Sequence, residues 1–284
     1  MPSRGVMYMA GSAFAFSVMA LLVKLASDEL PTGEIVLARA AVTLVLSYAM
    51  LRRRGVPVWG HNKRGLLLRG CIGFCALACY YVSLRQLPLA DATTLQNTTP
   101  LVTALLAWWL LGERVGWATA AAIAIGLVGV VLIVHPSGGG ADALGVAVAL
   151  GGATCSGIAY VTVRQLSKRE HPLVIVFYFP LVATPLALPW ALHDFVWPSP
   201  TGWLLLAAMG AATQLGQVFM TLGLTLVRAG RATAINFLQV CFAMVWQVAF
   251  FAKQPALATI GGAALIIGGT LLVSASERSA PAAP

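Results

Sequence analysis

The stretch Leu89-Ala-Asp-Ala-Thr-Thr-Leu-Gln96 recurs in altered form 140 residues later, as Ala229-Gly-Arg-Ala-Thr-Ala-Ile-Asn236. One match of this kind means little in a chain rich in Ala and Gly, but the same ungapped shift relates both ends of two halves. The pairs are Gly11 with Gly151, Lys24 with Arg164, Ile35 with Ile175, Gly129 with Gly269 and Leu132 with Leu272. We therefore predict a duplicated chain, with repeats at residues 1–140 and 141–275 and a disordered tail at 276–284.

The composition indicates that both halves lie in a membrane. Apolar residues make up 59% of the 284 residues and charged residues only 10%, whereas about 25% of the residues in soluble domains are charged. About 20 apolar residues cross a bilayer core of roughly 30 Å, and the chain contains ten such runs. The predicted helices cover approximately 5–26, 33–51, 65–86, 89–111, 115–134, 143–166, 172–191, 202–225, 231–251 and 256–274.

Five helices in each half is an odd number, so the second half enters the membrane from the opposite face. The sequence thus predicts an all-α polytopic membrane protein with ten transmembrane helices, arranged as two inverted five-helix repeats. Many secondary transporters share this arrangement, with a substrate site near the midplane at the repeat interface. Of the 18 basic residues, 14 fall on one predicted side and three on the other. Because cytoplasmic loops are rich in Lys and Arg, we place both termini in the cytoplasm of a bacterial cell, with the helices in its inner membrane.

Other functional classes find little support in the sequence. The net charge of +9 does not come from a basic stripe interleaved with aromatic residues, so nucleic-acid binding is not expected. No P-loop, His-Glu-x-x-His or Gly-x-Ser-x-Gly motif is found, and we expect neither a cofactor nor enzyme activity. Three cysteines, Cys71, Cys75 and Cys79, follow a four-residue spacing. They suggest a packing seam between helices or, as the less favoured alternative, a metal site.

Polar side chains recur near the predicted midplane of several helices. Unpaired amides facing lipid would cost several kcal/mol each, so these polar faces should point inward. There they either bond one helix to another or line a wet cavity, and the sequence leaves both readings open. Pro100, in the fourth predicted helix, is a hinge or a simple kink. The candidate substrate-binding residues are Tyr80, Tyr81, Gln96, Asn97, Ser156, Tyr160, Gln214, Gln217, Asn236, Gln239 and Trp246.

The predicted cavity is rich in neutral amides, hydroxyls and aromatic rings. Arg39 lies inside the second predicted helix, where it pairs with Glu34, pins helices together or serves transport. We expect no cluster of Lys and Arg in the cavity, which argues against phosphate-bearing substrates such as nucleotide-sugars. Neutral dipoles of this kind suit zwitterions such as amino acids.

The stretch Leu87-Pro-Leu-Ala-Asp-Ala-Thr-Thr-Leu-Gln-Asn-Thr-Thr-Pro100, followed by Leu111-Gly-Glu-Arg114 and a Gly-rich run to Val134, resembles the EamA repeat. This repeat characterises a family within the drug/metabolite transporter superfamily, and the chain is also similar to the YddG-type amino-acid exporters in it. The resemblance implies ten helices, a central cavity between helices one to four and six to nine, and export of small metabolites.

These observations together predict a secondary transporter that exports small polar metabolites, with amino acids favoured, by alternating access. Its partners would be a small-molecule substrate and the lipid bilayer, and the protein would be a monomer or a weak homodimer. The competing hypotheses are a non-transporting membrane sensor or scaffold, a carrier of amphiphilic drugs or nucleotide-sugars, and a membrane enzyme.

Overall fold

The structure is a computed structural model that describes residues 4–99, 101–102, 121, 124–126, 128–129, 131–132, 142–167, 169–226 and 238–279. Every regular element in these ranges is a helix, which agrees with the predicted all-α class. The longer helices are α1 (Arg4–Ala26), α2 (Thr32–Arg53), α3 (Lys63–Gln86), α4 (Leu89–Gln96), α5 (Ala143–Leu166), α6 (Pro172–His193), α7 (Pro200–Leu226), α8 (Leu238–Phe251) and α9 (Leu257–Ser279).

Six of these helices, α1–α3 and α5–α7, contain apolar segments long enough to cross a membrane, and α8 and part of α9 are shorter apolar helices. The bounds of α1–α3 and α5–α7 follow the predicted ones closely, and α9 runs beyond the expected end. The expected start of α8, at residues 231–237, lies outside the described residues. The count of ten stays a prediction, because residues 103–120 and 227–237 lie outside the described ranges.

Large apolar side chains on the outside of the bundle indicate its surroundings. Val45 is 67% exposed and Leu204 is 70% exposed, and further apolar residues are exposed along several helices. A soluble monomer rarely carries so extensive an apolar surface. These side chains suit contact with lipid tails.

Local hydrogen bonds explain where several helices begin and end. Asn62 and Asp142 accept bonds from the backbone amides of Gly65 and Leu144, and so cap the starts of α3 and α5. Helix α4 stops at Gln96, four residues before Pro100, which has no amide hydrogen to donate to the Gln96 carbonyl. The Thr99 hydroxyl donates to that carbonyl over 2.6 Å instead. The fourth predicted helix is interrupted at Asn97 and Thr98, and the backbone is helical again at Thr99, Leu101 and Val102.

The helices pack mainly across the two halves of the chain. Helix α1 lies along α7, α3 lies along α5, and α2 packs against α6. Smaller contacts join α2 to α7, α3 to α6, α1 to α8, α4 to α5 and α4 to α8. If α1, α2, α3 and α4 are exchanged with α5, α6, α7 and α8 in that order, the same set of helix pairs results. Each half therefore packs against the other through corresponding helices.

Two close contacts repeat at the level of single residues. A Cβ atom placed on Gly70 of α3 would lie 2.7 Å from Cβ of Val182 in α6. A Cβ atom placed on Gly210 of α7 would lie 2.6 Å from Cβ of Val42 in α2. Each glycine and each valine is 140 residues from its counterpart. Positions related by the shift of 140 therefore make a similar close helix crossing twice.

Candidate functional site

Eight helices, α1 to α8, surround a cavity of about 130 Å³, which we call the eight-helix cavity. Its wall consists of Phe16, Met19, Arg39, Arg69, Gly73, Ala76, Leu77, Tyr80, Tyr81, Gln96, Ser156, Ala159, Tyr160, Phe179, Gln217, Met220 and Gln239. Each half of the chain therefore contributes side chains from four helices.

Many wall residues are counterparts under the shift of 140. Five pairs meet this condition: Phe16 with Ser156, Met19 with Ala159, Arg39 with Phe179, Leu77 with Gln217, and Tyr80 with Met220. Positions related by the shift of 140 thus face the same space. Because the residue types differ within each pair, the two halves present different chemistry to it.

Seven of the predicted substrate-binding residues lie in this wall. They are Tyr80, Tyr81, Gln96, Ser156, Tyr160, Gln217 and Gln239. The Gln96 amide donates to the Ser156 hydroxyl over 2.8 Å and so joins the two halves, while its carbonyl oxygen is buried with no partner among the described residues. The Tyr80 hydroxyl lies 3.4 Å from that of Thr93. The wall therefore combines hydroxyls with an amide acceptor that is not satisfied.

Three other predicted residues lie outside the wall and bond within the protein. Asn97 donates to the Thr93 carbonyl over 2.8 Å. Gln214 accepts from the Ser47 hydroxyl over 3.2 Å and contacts the sulfur of Met50 over 3.3 Å. Trp246 donates to the Ser17 hydroxyl over 3.1 Å.

The bonds of Gln214 and Trp246 follow the helix-to-helix alternative that the sequence left open. The Asn97 bond instead lies within the turn that ends α4. Helical spacing identifies a polar face, but it does not specify whether that face meets a neighbouring helix or a cavity. Asn236 and Pro100 lie outside the described residues.

The expectation of a cavity without a cluster of Lys and Arg is wrong, since Arg39 and Arg69 both belong to the wall. They are only 5% and 6% exposed. The central guanidinium carbon of Arg39 lies 5.4 Å from the ring centroid of Tyr81 and 5.5 Å from that of Phe179. That of Arg69 lies 4.8 Å from the Phe179 centroid. Both cations therefore lie within the range of cation–π attraction to aromatic rings of the wall.

Among the described residues, neither arginine forms a salt bridge. Glu34, the expected partner of Arg39, accepts instead from the backbone amide of Val196 over 3.2 Å. The Nε atoms of both arginines and one terminal nitrogen of Arg69 are buried without a hydrogen-bond partner in this part of the chain. Isolated buried charge is costly, so the wall holds two cations whose compensation by protein groups is incomplete.

Arg69 is not among the predicted site residues, because it closely follows the basic residues at 52–64 in the sequence. One signal was available, since the third predicted helix begins at residue 65 and so already contains Arg69. A basic residue inside an apolar span usually faces the interior of the bundle.

A second cavity, of about 280 Å³, lies where α1, α3 and α8 end, and Lys24 and Lys253 are in its wall. Lys24 donates to the carbonyls of Leu84 and Leu87 over 2.7 and 2.8 Å. The side chain of Gln247 in α8 accepts from the backbone amide of Ala90 in α4 over 2.9 Å. We call this region the Lys24 end. There Lys24 ties α1 to the end of α3 within the first half, and Gln247 ties α8 of the second half to α4 of the first.

A sequence model of the EamA-like transporter family matches residues 3–135 and 143–275. The chain belongs to this family. The resemblance predicted from the Leu87–Pro100 stretch is thereby confirmed. The protein is a multi-pass membrane transporter of the drug/metabolite transporter superfamily.

Individual relatives agree over nearly the whole length. The chain is 35% identical over 275 residues to the pseudopaline exporter CntI of Pseudomonas aeruginosa, covering 96% of this chain and 97% of that protein. It is 28% identical over 286 residues to solute carrier family 35 member G1 of Mus musculus, covering 95% and 77% of the two chains. A solved crystal structure superposes with a TM-score of 0.73 at 21% identity over 98% of this chain and 99% of that one, and shares the fold.

Proposed function

We propose that this transporter exports small amino-acid-like metabolites across the bacterial inner membrane by alternating access, with the eight-helix cavity as its substrate site. The observation that carries the proposal is the set of five wall pairs related by the shift of 140. A site between inverted repeats can open to either side of the membrane when the two repeats exchange conformations.

The contacts between the halves support such an exchange. Corresponding helices of the two halves form the same packing pairs. A second conformation in which each half adopts the arrangement of the other would therefore have similar packing. In this structure Lys24 and Gln247 bond helices together at the Lys24 end. In the alternate conformation we expect these bonds to break and this end to open.

The wall chemistry supports an amino-acid-like substrate. Hydroxyls of Tyr80, Tyr81 and Ser156 and the amide of Gln96 can solvate ammonium and carboxylate groups. A relative with 35% identity is a pseudopaline exporter, which supports outward movement of a small metabolite. The volume of about 130 Å³ is below the roughly 300–1,000 Å³ of sites for drug-sized ligands, so nucleotide-sugars and amphiphilic drugs are disfavoured.

The direct test is counterflow in liposomes that contain the purified protein. Liposomes preloaded with an unlabelled amino acid should accumulate the labelled one, whereas liposomes preloaded with a nucleotide-sugar should not. Empty liposomes control for leakage. Absence of counterflow for every amino acid, with protein that melts cooperatively in detergent, would favour a sensor or scaffold.

Gln96 and Gln214 provide a matched pair of variants for the site. Gln96→Leu removes an amide from the cavity wall together with its bond to Ser156. It should weaken substrate recognition roughly three- to tenfold in the protein that folds. Gln214→Leu removes the polar contacts of this side chain in α7 with Ser47 and Met50 in α2. It should lower the melting temperature and leave recognition unchanged. If Gln214→Leu weakened recognition and Gln96→Leu left recognition unchanged, the eight-helix cavity would not be the substrate site.

A further inference from the structure

We infer that the substrate carries at least two carboxylate groups, which Arg39 and Arg69 bind together in the eight-helix cavity. This inference rests on the proposed function and narrows its substrate class to dicarboxylic amino acids and their close derivatives. It comes from three features of the cavity: the position of the two arginines, the polar atoms that the protein leaves without partners, and the uneven contribution of the two halves.

The two arginines lie close enough to hold one small molecule. Both guanidinium carbons lie within 5.5 Å of the centroid of the same Phe179 ring. They are therefore separated by no more than twice that distance. A compact chain with a carboxylate at each end can span this interval, and a guanidinium binds a carboxylate through two parallel hydrogen bonds.

The unsatisfied atoms of the wall define the complementary ligand. Three of them are donors, the Nε atoms of Arg39 and Arg69 and one terminal nitrogen of Arg69. The carbonyl oxygen of Gln96 is an acceptor. These atoms have almost no accessible surface, so they reach a ligand only when their side chains turn toward it. A ligand rich in acceptor oxygens with one N–H donor would then satisfy both kinds of atom. A dicarboxylic amino acid has this composition, with two carboxylates for the arginines and an ammonium for Gln96.

Among the described residues of the wall, the positive charge comes from the first half only. At the repeat-related positions of Arg39 and Arg69 the second half has Phe179 and Met209. The first half would therefore bind the anionic groups, and the second would supply the apolar and aromatic surface. Two like charges buried close together destabilise the empty protein, and a dianionic group would compensate both of them. Ionisable residues inside a membrane commonly mark substrate pathways for this reason.

The test compares glutamate with glutamine, which differ by one carboxylate. Counterflow and ligand-induced shifts of melting temperature should both favour glutamate by at least tenfold in apparent affinity. Arg39→Gln and Arg69→Gln should each weaken glutamate recognition roughly ten- to a hundredfold, as expected for hydrogen bonds to charged groups. The apparent affinity for glutamine should change much less than that for glutamate in at least one of the two variants. Arg39→Lys, which keeps the charge without the planar fork, should have an intermediate effect.

The matched control is Arg64→Gln, which removes the same charge from an exposed position on α3. It should leave the preference for glutamate unchanged. Stability without ligand provides a second readout, because removal of an uncompensated buried charge should maintain or raise the melting temperature. A purely structural arginine would show the opposite, with a lower melting temperature and an unchanged ratio of glutamate to glutamine.

The outcomes separate this inference from the proposed function. Counterflow of glutamine that equals or exceeds that of glutamate in the unmodified protein would overturn the inference and leave amino-acid export intact. Failure of every amino acid would overturn the proposed function itself. A preference for O-phosphoserine over glutamate would replace carboxylate recognition with phosphate recognition. If the Gln variants do not fold, the glutamate preference of the unmodified protein and of Arg39→Lys still decides the question.

Discussion

Residues of one type have different roles in this protein according to what their side chains contact. Gln96 joins the two halves through Ser156 and has an unsatisfied oxygen at the cavity, whereas Gln214 is occupied by contacts to α2. The arginines differ in a similar way, since Arg64 is exposed and Arg69, in the same helix, is buried in the cavity wall. Residue type alone therefore does not separate substrate contact from helix packing.

Glu170 shows the same principle outside the membrane. It lies between α5 and α6, and its buried carboxylate accepts from the backbone amide of Asn62 and lies 3.7 Å from Nδ1 of His61. Desolvation raises its pKa, but hydrogen bonds from the backbone of Asn62 and His61 outweigh this effect. The pKa of Glu170 is therefore held below its ordinary value, so the carboxylate stabilises the folded state at neutral pH.

Glu170→Gln should lower the melting temperature by a few degrees at pH 7, because the charged acceptor between two loops is lost. A lowered pKa in the folded state gives stability that is present above the unfolded pKa of 4.5 and is lost as pH falls through the folded pKa. The difference between the two proteins should therefore shrink below about pH 4.5.

Melting curves in detergent between pH 3 and 8 check this prediction. Asp194→Asn is the matched control, because Asp194 also contacts a histidine but its side chain is 69% exposed. It should have little effect at any pH. A difference for Glu170→Gln that grows as the pH falls below about 4.5 would contradict the prediction.

At the scale of helices, close approach depends on glycine at two repeat-related crossings. Gly70 meets Val182 between α3 and α6, and Gly210 meets Val42 between α7 and α2. The nearest atoms include the Cβ of each valine, which cannot move away by a rotamer change. Each added methyl group must therefore separate the helices.

Gly70→Ala and Gly210→Ala should each destabilise the protein by about 1–2 kcal/mol. Overpacking costs about 1–3 kcal/mol, and the higher helix propensity of alanine returns up to about 1 kcal/mol. Gly151→Ala is the control, since a Cβ atom there meets nothing within 4 Å. It should be neutral or slightly stabilising. Denaturant or thermal unfolding in detergent measures all three, and equal effects at the three sites would contradict this account.

At the scale of the whole molecule, the two halves form one bundle rather than two domains. The most extensive contacts join α1 to α7, α2 to α6 and α3 to α5, and each pair takes one helix from either half. The first half alone would expose the residues that form the wall of the eight-helix cavity. We therefore expect the halves to fold and function only together.

Both termini should lie in the cytoplasm. The predicted even number of helices returns the chain to its starting side, and the asymmetry of 14 basic residues against three sets that side. Reporter tags before Met1 and after Pro284 should both give cytoplasmic signals in cells. Opposite signals from the two tags would rule out ten helices and an inverted repeat together.

The sequence by itself was sufficient to determine much of the helical architecture and the family. Apolar runs broken by charged residues specify helix positions, because an exposed polar backbone is not tolerated in lipid. The predicted bounds of α1, α2, α3, α5 and α6 agree with the structure within about two residues. The repeat at 140 and the Leu87–Pro100 stretch likewise depend only on the order of residues along the chain.

Only the tertiary structure decided which polar residues meet. Helical periodicity places Gln96 and Gln214 on polar faces, but the rotation and crossing of each helix determine whether such a face meets a cavity or a neighbour. Arg39 and Arg69 come from different helices, and Phe179, which lies against both, comes from the other half. Their proximity depends on how α2, α3 and α6 pack, and this information is distributed over contacts between residues more than 100 positions apart. No local pattern along the chain encodes it.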